Sequence, residues 1–95
     1  MRIRVTLEDL ERGVRGSAWE CPLGYAFKRA FNSTSVFVGA TVCLDHGVRI
    51  DLQDVGLEKR TAFDRGKKLE SFEIPVSAEA IYRSPLYPSF KKTFS

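Results

Sequence analysis

The chain is poor in the residues that usually carry chemistry. It holds one histidine, two cysteines, one methionine and one tryptophan in 95 residues. Cys21 and Cys43 are too few and too far apart for a disulfide framework, so two reduced, mostly buried thiols are expected. His46 sits in a turn-forming Asp-His-Gly stretch, and no spacing ties it as a base to Cys21 or to a hydroxyl. Cys21 itself precedes a predicted helix, where the dipole favours a thiolate, but without a base its expected role is a small cap residue. No cluster has metal-ligand spacing, the glycines lack the pattern of a Walker or dinucleotide loop, and Asp51, Asp54 and Asp64 form no spaced pair. No run approaches the roughly 18 apolar residues of a membrane span, and MRIRVTLEDL carries charges where a signal peptide needs an apolar block. The expectation is a non-enzymatic, cytoplasmic protein with no cofactor, no metal and no membrane association.

What is present is the composition of an ordinary globular domain, 43% apolar and 28% charged, in a length that allows one core. The net charge of +3 is unevenly placed. Residues 1 to 81 hold 12 Lys and Arg against 12 Asp and Glu, while the last 14 carry Arg83, Lys91 and Lys92 with no acid. A charge-balanced body argues against a duplex-binding surface, which needs many cations to displace counterions.

The clearest period lies in CPLGYAFKRAFN. Leu23, Ala26, Phe27, Ala30 and Phe31 recur at i, i+3, i+4, i+7 and i+8, one apolar stripe of a helix over 22 to 31, with Tyr25, Lys28, Arg29 and Asn32 opposite. Pro22 suits the first helical position and Asn32 a left-handed end. Two capping-box signatures precede it. Thr6 with Asp9 predicts a short helix that Gly13 ends, and Ser17 with Glu20 leaves the main helix starting at either Ser17 or Cys21.

Strands are predicted at 2 to 7, 36 to 44, 48 to 52 and 71 to 76, each alternating apolar and polar as a sheet with one wet face would. Gly39-Ala40 leaves open a hairpin or a three-stranded meander. Asp54 is placed as the cap of a helix to Arg65 with Val55, Ala62 and Phe63 inward, Gly66 as its stop, and 77 to 83 as a short helix. The fold class is therefore α+β: a small, mostly antiparallel sheet covered by one main amphipathic helix, with short additional helices and an extended C-terminal tail. The domain is placed at 1 to 76 and the tail at 77 to 95. The expected core comprises Ile3, Val5, Leu23, Phe27, Ala30, Phe31, Val36, Val38, Ile50, Phe63 and Phe72.

The fragments V-T-x-E-D-L at 5 to 10, G-x-R-G at 13 to 16, C-P with A-x-x-R-A at 21 to 30, and A-F-D-R-G at 62 to 66 together resemble a loose group of short phage, prophage and bacterial proteins of unassigned function. The likeness spans most of residues 3 to 74. Relatives in that group carry a second cysteine three positions before the Cys-Pro cysteine. This chain has Ala18 there, which removes a Cys-x-x-Cys metal or redox role, and the segment after Val76 extends beyond the shared pattern. The resemblance implies a counter-defence factor that inhibits a host immune protein or sequesters a nucleotide immune signal. A nucleic-acid-binding accessory protein is the competing class.

Three sets of residues are candidates for recognition. Arg12, Arg15, Gly16, Ser17, Trp19, Tyr25 and Arg29 suit a small anionic ligand, with the amides of 16 to 18 cradling phosphate, Arg15 meeting it and Trp19 or Tyr25 stacking on a base. Tyr25, Lys28 and Arg29 form the exposed helix face open to a partner protein. In the tail, Tyr82, Arg83, Tyr87, Phe90, Lys91, Lys92 and Phe94 mix aromatic and cationic types enriched at interfaces, and a homodimer is expected because so small a sheet leaves open edges.

Overall fold

A computed structural model describes residues 1–83, the His46 side chain excepted. The order of elements is β1 (Arg2–Val5), α1 (Leu7–Arg12), α2 (Pro22–Phe31), β2 (Val36–Val38), β3 (Thr41–Leu44), β4 (Val48–Asp51), α3 (Asp54–Asp64), β5 (Phe72–Pro75) and β6 (Ile81–Arg83). The fold is α+β and every strand pairing is antiparallel. The strands form two sheets where a single one was expected: β1 with β5, and a four-stranded sheet ordered β2-β3-β4-β6. Alternation specifies which side of a strand is buried but not which strand it lies beside.

Gly39 and Ala40 do turn the chain, so β2, β3 and β4 make the meander. Within 77 to 83, expected as a short helix, only Ala78–Ala80 form a 3-10 turn. Ile81–Arg83 instead pairs with β4, Ile81 lying opposite Ile50, so this piece of the expected tail completes the sheet. The first sheet is lengthened by reciprocal bonds between Met1 and Val76: the Val76 N–H donates to the Met1 carbonyl at 2.7 Å, and the terminal ammonium donates to the Val76 carbonyl at 3.2 Å.

Helix α2 packs on β1 of one sheet and on β2 and β3 of the other. Its Leu23 and Phe27 are wholly buried among Ile3, Val5, Val36, Val38, Val42, Ile50 and Ile74. Three core expectations need correction. Ala30 is exposed and Phe31 only half-buried. Ala30 shares the stripe's direction but lies in the last turn, and full burial along α2 ends at Phe27. Phe31 recovers contact by stacking on Phe27, with ring centres 6.3 Å apart. Phe72 is likewise half-buried at the margin of the core. In α3 the inward positions are Gly56 and Phe63, with Ala62 half-buried, while Val55 is exposed. Asp54 is that helix's first residue, where its charge suits the dipole, and Gln53 is the cap.

The Thr6 capping box is complete. Thr6 Oγ1 accepts from the Asp9 N–H at 3.2 Å, and Asp9 Oδ2 accepts from the Thr6 N–H at 3.0 Å. The second signature yields only a turn: Ser17 Oγ accepts from the Glu20 N–H at 3.0 Å, and the helix begins at Pro22 after the cap residue Cys21. Gly13 ends α1 with an extended backbone, φ −66°, so left-handed freedom is not its use. A Cβ there would lie 2.3 Å from Pro22 Cγ, and the bare α-carbon is what lets α1 approach the start of α2.

The same two helices are tied by charge. Arg29 donates from Nη1 to Asp9 Oδ1 at 3.0 Å and from Nη2 to Asp9 Oδ2 at 2.8 Å, and Nη2 also donates to the Arg4 carbonyl at 2.9 Å. Asp9 is 2% exposed. Burial pushes its carboxyl up, but the hydrogen bonds from Arg29 and Thr6 and the guanidinium charge outweigh that and hold it below its ordinary 3.8. A group whose folded pKa is depressed contributes stability above its unfolded value and loses that contribution as pH falls through the folded one. Urea midpoints should therefore drop as pH falls below 3.8, with a shallower drop in Asp9→Asn. At neutral pH, Arg29→Met should cost about 1–3 kcal/mol by leaving a buried carboxylate with one partner fewer. The low end is expected because the Arg29 side chain is 52% exposed and water can take its place. Gly13→Ala should cost about 1–3 kcal/mol through the overlap with Pro22, read by the same denaturation.

Candidate binding face

The candidate residues of the 12 to 29 region separate in three dimensions. The Arg12 guanidinium lies 4.6 Å from the centre of the Tyr25 ring and the Lys28 ammonium 5.4 Å from it, so that ring is engaged by cations of its own chain. Arg29 is held by Asp9. The Gly16 N–H donates to Asp64 Oδ1 at 3.0 Å and the Ser17 N–H to the Val14 carbonyl at 3.2 Å. Two of the three amides expected to cradle an anion are thus satisfied within the protein. Arg15 turns away from them toward Gly66, where a Cβ would come 3.3 Å from its guanidinium. Gly66 has φ +83°, the left-handed turn that stops α3.

Cys21 is 3% exposed at the start of α2. Burial pushes its thiol up from the ordinary 9.0, and the Leu23 and Gly24 amides do not offset this. A neutral thiol is the opposite of an activated nucleophile. His46 contributes its backbone to the 3-10 turn Asp45–Gly47. Among the described residues no three of His, Cys, Asp and Glu gather as a metal-holding group, and no helix is long and apolar enough to cross a membrane.

Trp19 leaves the loop for the four-stranded sheet. It is 64% exposed and meets Phe37 edge to face, ring centres 5.0 Å apart. The Ala18 carbonyl accepts from the Val38 N–H at 2.8 Å, which docks this part of the loop along the free side of β2. Phe37 in turn begins a row across the sheet. It lies opposite Cys43, Cys43 opposite Arg49, and Arg49 opposite Tyr82. Directly opposed residues share a face. The alternate positions Val36, Val38, Val42, Leu44, Val48 and Ile50 are all buried, so the row stands on the outward side. The Arg49 guanidinium lies over the Tyr82 ring at 4.7 Å, and Phe37 and Tyr82 are 41% and 49% exposed. Two residues along the same strands, Thr41 Oγ1 donates to Asp51 Oδ1 at 3.3 Å.

Of the tail candidates, Tyr82 thus belongs to this row, and the exposed Arg83 lies beside it on β6. Tyr87, Phe90, Lys91, Lys92 and Phe94 lie outside the described residues. Phe37, Cys43 and Arg49 were not singled out from sequence. Alternation already turned Phe37 and Arg49 outward, but only the register of four strands aligns them, and no local pattern encodes it. Cys43, expected among the mostly buried thiols, is half-buried.

No protein-family model, curated protein or solved structure matches the chain. The geometry defines an α+β fold with an aliphatic interior built around Phe27 and one sheet face that presents Trp, Phe and Tyr to solvent. Because these aromatics are exposed, Trp19→Ala should lower stability by about 0.5–1.5 kcal/mol, the worth of an aromatic pair. Phe27→Ala should cost about 3–5 kcal/mol. Urea denaturation of the two variants checks the contrast.

Proposed function

We propose that this chain is a non-enzymatic binding protein that occupies a partner protein through the outer face of its four-stranded sheet. The observation that carries the reading is the transverse row of Trp19, Phe37, Cys43, Arg49 and Tyr82, with three aromatics each more than two-fifths exposed. Trp, Tyr and Arg are the residues that dominate the energy of protein interfaces, the two aromatics because they bury large areas with little rotamer entropy to lose and Arg because it adds charged hydrogen bonds and stacks on rings. The charge on this face is close to neutral, Arg49 being balanced by Asp51, two residues further along the same strand and so on the same side. A nucleic-acid surface needs a surplus of cations, so stacking on bases is the weaker use of the same aromatics.

Inhibition of a host immune protein, the counter-defence role that the phage-type resemblance adds, is one form of this reading. Sequestering a nucleotide gains less support, because the loop amides at Gly16 and Ser17 already have acceptors. A dimer through the same face is the remaining form, with a second copy as the protein bound.

The test compares the intact chain with the double variant Trp19→Ala/Tyr82→Ala, using pull-down from bacterial lysate, light scattering of the purified protein, and titration with single- and double-stranded DNA at two salt concentrations. One protein retained by the wild type and weakened at least about tenfold by the variant is the expected result, since two central aromatics are worth well over 1.4 kcal/mol together. Equal retention by the variant, or salt-sensitive DNA binding as the only interaction, would overturn it.

A further inference from the structure

A second site lies away from this face, between α1, the loop after it and the end of α3. Leu7, Leu10, Phe63 and Leu69 line a cleft of 310 Å³ whose rim carries Arg15, Lys67, Lys68 and one carboxylate, Glu11. That volume is at the lower end of the range for small-molecule sites, about 300–1,000 Å³. The floor is graded: Phe63 is buried, Leu10 and Leu69 are half-buried, and Leu7 stands 57% exposed on the first turn of α1. A leucine that far out on a six-residue helix leaves apolar surface with nothing of the described chain to cover it.

The rim is unusual for its surplus of unused charge. Among the described residues, Arg15, Lys67 and Lys68 make no salt bridge, and all three are exposed. Asp64, three residues before Lys67, is already engaged by the Gly16 N–H and lies 4.0 Å from Arg60. The Gly16 bond also fixes the position of Arg15, because it docks the loop on the end of α3 and sets the guanidinium against Gly66, where no side chain intervenes. Three cations against one carboxylate give the mouth of an apolar cleft a positive field.

We infer that this cleft binds a small amphipathic anion, an aliphatic chain with a carboxylate or phosphate head. The chain occupies the leucine and phenylalanine floor, and Arg15, whose planar fork matches either head group, clamps the anion with Lys68 beside it. This site is separate from the aromatic face and stands or falls independently of it.

The probes are octanoate, octyl phosphate and octyltrimethylammonium, each titrated below its aggregation limit into the intact, isotope-labelled chain and followed by backbone amide shifts. Saturable shifts centred on Leu7, Leu10, Gly66, Lys68 and Leu69 with either anion are expected, and the tighter of the two identifies the head group. Octyltrimethylammonium should bind at least about tenfold more weakly. Arg15→Gln/Lys68→Gln, both exposed and unpaired, should fold normally and weaken the anion about tenfold, the factor for losing one charge-assisted contact at an open rim. Shifts that never saturate, equal binding of the cationic probe, or affinity unchanged in the double variant would each overturn the assignment. A Leu10→Asn variant separates floor from rim. Loss of octanoate binding with retained amide dispersion supports the cleft, and undiminished binding counts against it.

Discussion

Everything in this fold depends on one short helix serving two sheets. Ten residues of α2 present Leu23 and Phe27 to β1 on one side and to β2 and β3 on the other, and both side chains are completely buried. Close packing there is made possible by what is missing. A Cβ on Gly24 would lie 3.0 Å from Val36 Cγ1, tighter than ordinary contact, so β2 can approach the helix only because that position is bare. Remove the helix and the four-stranded sheet loses the main cover of its apolar face, while the two-stranded sheet is left with α3 against β5.

The helix is located by unlike means at its two ends. At its start, Pro22 nests against the bare α-carbon of Gly13, while near its end Arg29 grips Asp9 and the Arg4 carbonyl. Asp9 does three things at once: it closes the capping box of α1, accepts the guanidinium of α2 and, through Arg29, connects to β1. A second polar knot fixes the connection leaving α2. The Asp45 carboxylate accepts from the Ser33 hydroxyl and from the Thr34 N–H and hydroxyl, which ties the loop before β2 to the turn after β3. Polar residues at these two joints specify angles that apolar packing alone leaves undetermined.

Local patterns were legible and their assembly was not. The stripe and the end of α2 and the Thr6 capping box could be read from period and turn chemistry, because each is set by neighbours within a few residues, whereas the start of α2 and the choice between hairpin and meander stayed open. The division into two sheets could not, since period two is blind to the partner strand. Ala30 departs for a related reason: its direction on the helix is as expected, but how far burial runs along the helix is a tertiary fact. The candidate site suffered most. Arg29 and Tyr25 looked free on the helix surface, yet their partners Asp9 and Arg12 come from the preceding helix. Trp19 was recognised, but its meeting with Phe37 and the alignment with Arg49 and Tyr82 required a register formed by segments more than 60 residues apart.

The half-buried Cys43 has a practical consequence. It sits in the middle of the outward row between Phe37 and Arg49, whereas Cys21 is sealed at the start of α2. The two thiols therefore differ in access to an alkylating reagent without any engineering, one reporting on the sheet face and the other on global opening of the core. Native-state alkylation rates at the first measure coverage of that face directly, while the second supplies an internal clock for unfolding. A footprint of whatever meets the sheet can thus be read from a single mass spectrum of the unmodified sequence.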